Sequence, residues 1–367
     1  MGKFNVLNAK GVSRRDFMKL MAVTTAAFGL PATVAPQAAK AVGEALEKPP
    51  VIWLSGMECT GCTTSTISTI KPSAADLILD KLSIRYHEVI MAGTGDVAEE
   101  AYAETLKEAA GKYILIVEGS VPPDASKDDY CIVAGKPFRE TVLEAAAQAK
   151  AVVAVGSCAC DGAGIPGASE ITQAIGVRDL LKNNGIATPV INLPCCPVKS
   201  QTVIGTLTYF LTYGEVPPLD SQGRPLAYYG MLLHDNCPRR GRFENGEFLK
   251  DWNDPAQKDY CLLLKGCKGP KTYTDCASVW FNDNANFCLN AGSPCSGCSE
   301  TGFYAKFNPL YVKNDDFHVP GVVGQVSPDL IGAGVGVVAA GYLAFSTVGN
   351  IARGRIGKKS KEHGGDK

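Results

Sequence analysis

The segment VIWLSGMECTGC, residues 51–62, decides the fold because an apolar run with strand character leads directly into a pair of cysteines. Four more apolar runs follow along the chain, at residues 84–91, 113–117, 151–155 and 190–193. Helix-like segments separate them, at residues 98–110, 137–149, 170–182 and 198–212. Strands that alternate with helices predict a parallel sheet, and continuous apolar strands predict helices on both of its faces. The sequence therefore predicts a doubly wound α/β domain.

Cysteines follow three of the predicted strands at the point where each strand ends. Cys59 and Cys62 follow the first strand, Cys158 follows the fourth, and Cys195 and Cys196 follow the fifth. In a doubly wound sheet, ligands bind outside the carboxyl ends of the strands, near the switch point. We therefore expect the fold to bring four thiolates from three distant segments to one place.

A second cysteine-rich region begins where the alternation of strands and helices stops, and we place the domain boundary at residues 217–224. Besides His234, the region holds seven of the 14 cysteines of the chain: Cys237, Cys261, Cys267, Cys276, Cys288, Cys295 and Cys298. Glycine and proline punctuate this region, and long apolar periodic runs are missing from it. Such a segment has little apolar material for a core of its own, so cross-links must offset the entropy of ordering it.

Both ends of the chain predict export and membrane attachment. Residues 13–19, SRRDFMK, precede an apolar run and a small-residue site at residues 39–41, which resembles a twin-arginine signal peptide occupying residues 1–41. Residues 330–352 carry no formal charge, and a helix of this length spans a hydrocarbon core about 30 Å thick. The basic tail at residues 353–367 then lies in the cytoplasm by the positive-inside rule, with the body outside. The alternative to the signal peptide is a basic amphipathic helix at the start of the mature protein. The alternative to the membrane helix at residues 330–352 is a buried helix of a soluble domain.

Three kinds of cross-link compete for the cysteines. Disulfides are the default for an exported chain, but cysteines in Cys-x-x-Cys pairs are more often redox-active or metal-binding. Structural zinc usually takes two Cys-x-x-Cys pairs close in sequence, whereas here widely separated single cysteines follow one pair. Iron–sulfur clusters take four thiolates, with one histidine allowed as a substitute, and neighbouring glycines let the backbone approach the inorganic sulfides. The pattern favours clusters and leaves disulfides and zinc as alternatives.

Six short motifs occur in order along the chain: ECTGC at 58–62, GSC at 156–158, PCCP at 194–197, HDNCPRR at 234–240, KGCKGP at 265–270 and PCSGCSE at 294–300. Together they closely resemble the small subunit of membrane-bound [NiFe] hydrogenases. The resemblance implies a flavodoxin-like domain at residues 48–217 and a cluster-binding domain at residues 218–315. It also implies a large subunit whose nickel–iron site splits or forms H2. The chain would relay electrons between that site and a membrane acceptor, either a cytochrome b or an iron–sulfur and membrane subunit pair, on the periplasmic side of the inner membrane.

The resemblance implies three clusters and, motif by motif, their ligands. The proximal [4Fe-4S] cluster is assigned to Cys59, Cys62, Cys158 and Cys196. The distal [4Fe-4S] cluster is assigned to His234, Cys237, Cys261 and Cys267, and the medial cluster to Cys276, Cys295 and Cys298. Relatives with a [3Fe-4S] medial cluster carry proline seven residues before Cys295, where this chain has Cys288. A fourth thiolate at that place predicts a [4Fe-4S] medial cluster, as in the selenium-containing branch of the family. If Cys288 is not a ligand, the medial cluster is expected to be [3Fe-4S].

Three cysteines stay outside these ligand sets. Cys131 is predicted to be a buried structural thiol, and Cys160 and Cys195 are expected beside the proximal ligands. Most relatives carry glycine where Cys195 stands. Oxygen-tolerant relatives have two additional cysteines at positions that correspond to Gly61 and Ala163 here, so we expect ordinary oxygen sensitivity.

Five charged residues near the predicted ligands have open roles. Arg239, Arg240, Lys265 and Lys268 either offset the charge of a cluster or form a solvated basic surface. Glu58, beside the proximal ligands, is expected at the partner interface or in proton movement.

The overall charge argues against a nucleic-acid partner, because 36 basic residues nearly cancel 37 acidic ones. The rival functions are a quinone-reductase subunit with the related fold, a binding module stabilised by zinc or disulfides, and a ferredoxin-like carrier that acts alone. The sequence leaves open the electron acceptor and the physiological direction of the reaction.

Overall fold

The computed structural model describes residues 50–70, 72–73, 82–162, 170–303, 317–318, 325–326 and 328–353. The predicted signal peptide, the tail beyond Arg353 and Ala163 lie outside these ranges. The described residues up to Phe303 form one compact unit, and those from Phe317 onward form a second.

A five-stranded parallel sheet forms the centre of the first unit. Its strands are β1 Pro50–Ser55, β2 Ser83–His87, β3 Ile114–Glu118, β6 Ala151–Val155 and β7 Val190–Leu193. They lie in the order β2-β1-β3-β6-β7, and every neighbouring pair is parallel. Two short strands, β4 Ile132–Val133 and β5 Lys136–Pro137, pair separately. Counted within the large sheet alone, the order is 2-1-3-4-5, which is the flavodoxin-like order of doubly wound sheets. The predicted α/β sheet is therefore confirmed.

Helices cover both faces of the sheet. They are α1 Gly61–Ile67, α2 Asp96–Glu108, α3 Phe138–Gln148, α4 Gly156–Asp161, α5 Val177–Asn183 and α6 Ser200–Tyr213. Successive β1 residues point to opposite layers: Val51 and Trp53 belong to the core under α6, whereas Ile52 and Leu54 belong to the core under α2, α3 and α5. Strands β1, β3, β6 and β7 are thus buried on both faces, which explains their nearly continuous apolar sequence, whereas the edge strand β2 is partly exposed.

The second cysteine-rich region packs onto the sheet with little regular structure of its own. It contains the short helices α7 Leu226–Tyr229 and α8 Arg240–Glu244, and 3-10 turns at Leu233–Asn236, Pro255–Gln257, Leu263–Lys265 and Gly269–Lys271. Its residues Cys276, Phe287 and Leu289 join the same apolar core as α6. The region therefore shares the apolar core of the sheet domain. The domain boundary at residues 217–224 stays a prediction.

Two predicted element ends differ from the structure by more than two residues. Strand β2 ends at His87 rather than at Met91, because the Met91 N–H donates to the His87 carbonyl (3.2 Å) and closes a turn. The helix predicted at residues 170–182 begins at Val177. The preceding Gly176 is extended and packs so closely against the Cys160 carbonyl that a Cβ would have no room there.

The C-terminal unit contains the antiparallel strands β8 Phe317–His318 and β9 Gln325–Val326, followed by helix α9 Pro328–Ala352. The apolar segment predicted at residues 330–352 falls within α9, whose side chains are described only over residues 336–351. Within the described ranges, no helix was found with both the length and the apolarity that crossing a membrane requires.

Candidate metal centres

The cysteines of this chain are unpaired thiols. All 14 lie in the described ranges, and each is free, so the disulfide alternative is not supported. Within the same ranges, no three His, Cys, Asp or Glu side chains converge closely enough to hold a single metal ion.

The four predicted proximal ligands lie at the carboxyl ends of three strands. Cys59 follows β1, Cys62 is in the first turn of α1, Cys158 is in α4 after β6, and Cys196 follows β7. Burial, together with the neighbouring Cys196 and Cys59, raises the pKa of Cys158 to about 12. Burial and the nearby Glu118 raise the pKa of Cys62 well above its usual value. Burial likewise raises the pKa of Cys196 to about 11. Thiols that resist ionisation because they are buried are donors suited to iron ions, which would replace the protons.

Glycine allows the backbone to approach the sulfurs of this group. Gly156 has a φ of +84°, and a Cβ there would stand 2.5 Å from the Cys62 sulfur. At Gly61 a Cβ would stand 3.1 Å from the Cys59 sulfur. On the opposite side, the Val198 N–H donates to the Cys62 sulfur at 3.5 Å. Such N–H contacts are typical of cluster ligands.

Glu118, at the end of β3, holds the loop that carries Cys62. Its carboxylate is only 2% exposed. It accepts hydrogen bonds from the backbone N–H groups of Cys62 (2.9 Å) and Thr63 (3.0 Å), from the Thr63 hydroxyl, and from Trp53 Nε1 (3.2 Å). The carboxylate thus satisfies N–H groups of the first turn of α1, which has no side-chain cap. Glu118 was not among the residues predicted from the sequence, although a single charge directly after the apolar run 113–117 is a usable signal.

The nearby Glu58 has an environment that fits either of its predicted roles. Burial and the neighbouring Glu118 raise the pKa of Glu58 to about 7. The Thr60 hydroxyl donates to one carboxylate oxygen of Glu58 at 3.2 Å, whereas the other oxygen is buried with no hydrogen-bond partner among the described residues.

The four predicted distal ligands line one pocket that is partly open to solvent. They are His234, Cys237, Cys261 and Cys267, and the apolar walls are Leu233, Leu262, Leu263, Pro270 and Leu289. Burial raises the pKa of each of the three thiols. Burial, and then the Arg240 charge, lower the pKa of His234, so the imidazole is neutral, which is the form that binds a metal.

Of the four basic residues with open roles, two lie at the distal thiols. The Arg239 guanidinium donates to the carbonyls of Tyr260 (2.6 Å), Lys258 (2.9 Å) and Leu289 (3.2 Å). From there its charge lowers the pKa of all three distal thiols against the effect of burial. Lys268 is 2% exposed and acts in the same way on Cys267.

The other two basic residues belong to the surface. Arg240 pairs with the exposed Glu244 at 2.8 Å. The Lys265 ammonium donates to the Lys250 carbonyl at 2.6 Å.

The predicted medial ligands form a third group, and Cys288, although exposed, lies near Cys298 and Cys276. Cys276 and Cys295 are buried, and the Thr274 hydroxyl lies 3.1 Å from the Cys276 sulfur. The pKa of Cys288 is raised to about 11 by burial and by the neighbouring Cys298 and Cys276. The fold thus brings four thiols together where the family motif with proline offers three.

Two residues that the sequence did not place here also join the medial group. Cys195 is 1% exposed and is buried in the same apolar core as Cys276 and Cys295, although its neighbour in sequence is a predicted proximal ligand. The neighbouring Cys195 is the main cause that lowers the pKa of Cys276 to about 7. Lys199, only 1% exposed, forms an ion pair with Asp275. That Cys195 lies beside the proximal ligands stays a prediction.

Of the other two unassigned cysteines, Cys160 lies near the proximal thiols, because burial raises its pKa and Asp161, Cys62 and Cys158 add to that effect. Cys160 is buried and its S–H donates to the Ala154 carbonyl at 3.4 Å. Cys131 is half-buried, so the expectation of a buried thiol is only partly met.

Comparison with known proteins tests the resemblance stated above. Residues 229–311 match the family model for the C-terminal part of NiFe/NiFeSe hydrogenase small subunits, and residues 59–210 match that for the 20 Kd subunit of NADH ubiquinone oxidoreductase. The uptake hydrogenase small subunit of Azotobacter vinelandii is 40% identical over 352 residues, which cover 95% of this chain and 96% of the relative. This chain belongs to the family of NiFe hydrogenase small subunits. The match at residues 59–210 is to a quinone-reductase subunit, whereas the match at residues 229–311 is to hydrogenase small subunits. The second match therefore distinguishes this chain from a quinone-reductase subunit.

Further relatives support the same assignment of this small subunit. The hydrogenase-1 small chain of Escherichia coli K12 is 38% identical, covering 92% of this chain and 89% of the relative. The Ni-Fe-Se hydrogenase from Desulfomicrobium baculatum superimposes with a TM-score of 0.68 at 34% identity, covering 73% of this chain and 100% of that one. The [NiFeSe] hydrogenase from Desulfovibrio vulgaris Hildenborough gives 0.67 at 36%, covering 72% and 98%. The protein is thus the iron–sulfur, electron-transferring partner of a hydrogenase large subunit.

Proposed function

We propose that this small subunit relays electrons through three [4Fe-4S] clusters held by the predicted ligand sets. Iron–sulfur clusters supply one-electron redox centres when bound. The main support is that Cys59, Cys62, Cys158 and Cys196, separated by up to 137 positions in the sequence, meet at one edge of the sheet. The shared pocket of the distal set and the presence of Cys288 in the medial group support the other two clusters.

Contacts between the three groups support the order proximal, medial, distal. The Ser157 hydroxyl, next to the proximal Cys158, donates to the carbonyl of the medial Cys298. The Lys268 N–H, next to the distal Cys267, donates to the carbonyl of the medial Cys295 at 2.8 Å. The medial group therefore contacts both of the others through short links.

The distal group is the proposed exit for electrons. Its pocket is partly open to solvent, and a neutral His234 leaves it with one negative charge fewer than four thiolates. Arg239 and the buried Lys268 add fixed positive charge on the protein side, which favours the reduced form.

Substitution of a proximal ligand tests the relay. Cys196→Ser in the purified two-subunit enzyme should lose the proximal EPR signal and about four irons per complex, and with them H2-dependent reduction of an artificial dye. Cys131→Ser, a half-buried thiol outside the three groups, is the matched control and should keep both. A Cys196→Ser enzyme that retains its iron and its proximal signal would remove Cys196 from the site.

We also propose that the twin-arginine signal exports the subunit and that α9 anchors it to the outer face of the inner membrane. The support is the charge-free run at residues 330–352 and the exposure of its described apolar side chains, such as Val337 (73%) and Phe345 (80%). A helix that is apolar all round is normally buried in protein or lipid. A cytochrome b or an iron–sulfur and membrane subunit pair would then accept the electrons. The relatives named uptake hydrogenases favour H2 oxidation as the direction.

Cell fractionation tests the anchor. Truncation after Asp329 should release active enzyme from membranes into the periplasmic fraction, whereas truncation after Ala352 should leave it bound. If both truncated enzymes stay on the membrane, α9 is not the anchor. Arg14→Lys and Arg15→Lys together should hold the precursor in the cytoplasm.

A further inference from the structure

Arg239 is a half-buried side chain whose hydrogen bonds reach both the distal and the medial group. Its guanidinium donates to the carbonyl of Tyr260 at 2.6 Å, and the next residue is the proposed distal ligand Cys261. It also donates to the carbonyl of Leu289 at 3.2 Å, and the preceding residue is Cys288, the proposed fourth medial ligand. One side chain thus holds the backbone beside a ligand of each group.

Leu289 forms a wall that the two groups share. Its side chain is 2% exposed, lines the distal pocket and belongs to the apolar core that contains two of the medial cysteines. Its carbonyl also accepts the Gly292 N–H at 3.2 Å, so the turn after Cys288 closes on the same oxygen that Arg239 contacts. Cys288 itself is exposed. Its position therefore depends on how its neighbours in the chain are held.

The chemistry of the guanidinium suits this role. Arginine stays charged, and its planar group offers five N–H donors in fixed directions. Arg239 directs these donors to three carbonyls from two segments of the chain. A lysine would keep the charge, but its compact ammonium on a flexible stem does not reproduce the planar fork.

Arg242 has the same side chain without these contacts. It stands three positions later, its side chain is 46% exposed, and it pairs with Glu247 at the surface. Its guanidinium also lies over the Tyr260 ring, 5.6 Å from the centroid. Arg242 therefore serves as a matched control for a positive charge close to the same segment.

We propose that Arg239 is a positioning residue that couples the distal and medial centres, because it holds the segments of Cys261 and Cys288 at a fixed separation. This inference rests on the proposed ligand sets. It goes beyond the effect of the Arg239 charge on the distal thiols, because the hydrogen bond to Leu289 extends the influence of the same side chain to the medial group. Ligand orientation and the surrounding hydrogen bonds tune the potential of a centre, so both potentials depend on Arg239.

The test is a redox titration followed by EPR on the purified two-subunit enzyme that carries Arg239→Lys. This variant keeps the charge and loses the fork, so the spectra and midpoint potentials of the medial and distal centres should change together. The magnetic interaction between these two centres should also weaken, because it depends on their separation. The proximal spectrum and midpoint should stay as in the wild type, which also shows that the complex is folded. Arg242→Lys should leave all three centres unchanged.

Two further variants keep the test decisive. Arg239→Gln keeps a planar NH2 donor and removes the charge, so it should lower the distal midpoint and again change both centres. It replaces the lysine variant if that protein does not assemble. In a Cys288→Pro background residue 288 is no longer a ligand, so adding Arg239→Lys should change the distal centre and leave the medial centre as it is in Cys288→Pro alone.

Three results would overturn the inference. Wild-type spectra and midpoints in Arg239→Lys would show that the charge alone matters. A change confined to the distal centre would limit Arg239 to that centre. A lower midpoint of thermal unfolding with all three centres unchanged would make its role purely structural. Absence of a medial or a distal centre from the wild-type enzyme would instead refute the ligand assignment, and the inference would fall with it.

Discussion

Replacement of Gly156 by alanine tests whether the end of β6 is shaped around a proximal ligand. Gly156 has a φ of +84°, and its missing Cβ leaves space for the Cys62 sulfur 2.5 Å from where that Cβ would stand. Gly214, at the end of α6, is the matched control. Its φ of +73° is similar, but nothing lies within 4 Å of the Cβ position.

Both substitutions carry the same backbone cost, but only Gly156→Ala brings a Cβ too close to another side chain. An L-residue in the left-handed region costs about 1–2 kcal/mol at either position. At residue 156 the Cys62 sulfur must also retreat by about 1 Å to reach the ordinary contact distance of 3.4 Å. Overpacking of this kind costs about 1–3 kcal/mol. The displacement also exceeds the tolerance of roughly 0.2 Å for a metal–ligand distance.

Iron analysis and EPR spectroscopy of the purified complex measure the difference. Gly214→Ala should retain all of its iron, with a slightly lower midpoint of thermal unfolding. Gly156→Ala should lose the proximal signal and about four irons per complex. If the two variants contain equal iron and show the same proximal spectrum, the Cys62 sulfur is not held against residue 156 as a ligand.

Three further predictions concern charges and the medial ligand. Glu118→Gln replaces one carboxylate oxygen, which accepts hydrogen bonds from the helix N–H groups, with an NH2 group that can only donate. It should therefore lower the free energy of unfolding by about 2–4 kcal/mol. Glu140→Gln, at a side chain 61% exposed, should change it by less than about 0.5 kcal/mol; equal losses in thermal melts would contradict this. Lys199→Met strands the buried Asp275 carboxylate and should cost about 3–5 kcal/mol, most of which Asp275→Asn should restore in the double variant. A double variant no more stable than the single one would refute the ion pair. Cys288→Pro should remove about one iron and produce the EPR signal of an oxidised three-iron cluster, whereas an unchanged iron content would exclude Cys288 as a ligand.

Much of the fold was readable from the sequence because the sheet is buried on both faces. A strand covered on both sides must be apolar at every position, so runs such as Ala151–Val155 stand out without any alternation. The ends of elements were less readable. Apolar residues recur beyond His87, at residues 89–91, and the turn that Met91 closes onto the His87 carbonyl ends the strand before them.

The site residues could be predicted where a motif lies at the end of a strand. They could not be predicted where tertiary packing determines which residues a side chain contacts. Cys196 follows a strand, and the flavodoxin-like order brings it to the other proximal thiols. Its neighbour Cys195 is buried in the apolar core that also contains Cys276 and Cys295, some 80–100 positions later in the chain. Because Cys195 and Cys196 lie in an irregular loop, no sequence periodicity predicts where their side chains point. Lys199 is likewise buried against Asp275, a residue from a distant part of the sequence.

The central claim is that folding gathers scattered thiols into three electron-carrying iron centres. Iron and acid-labile sulfide analysis of the wild-type two-subunit enzyme, combined with an EPR-monitored redox titration, tests it most directly. The account predicts about 12 irons and about 12 sulfides per small subunit, in three centres that titrate separately and are reduced by H2. Iron for fewer than three centres, or a preparation in which H2 reduces none of them, would contradict it.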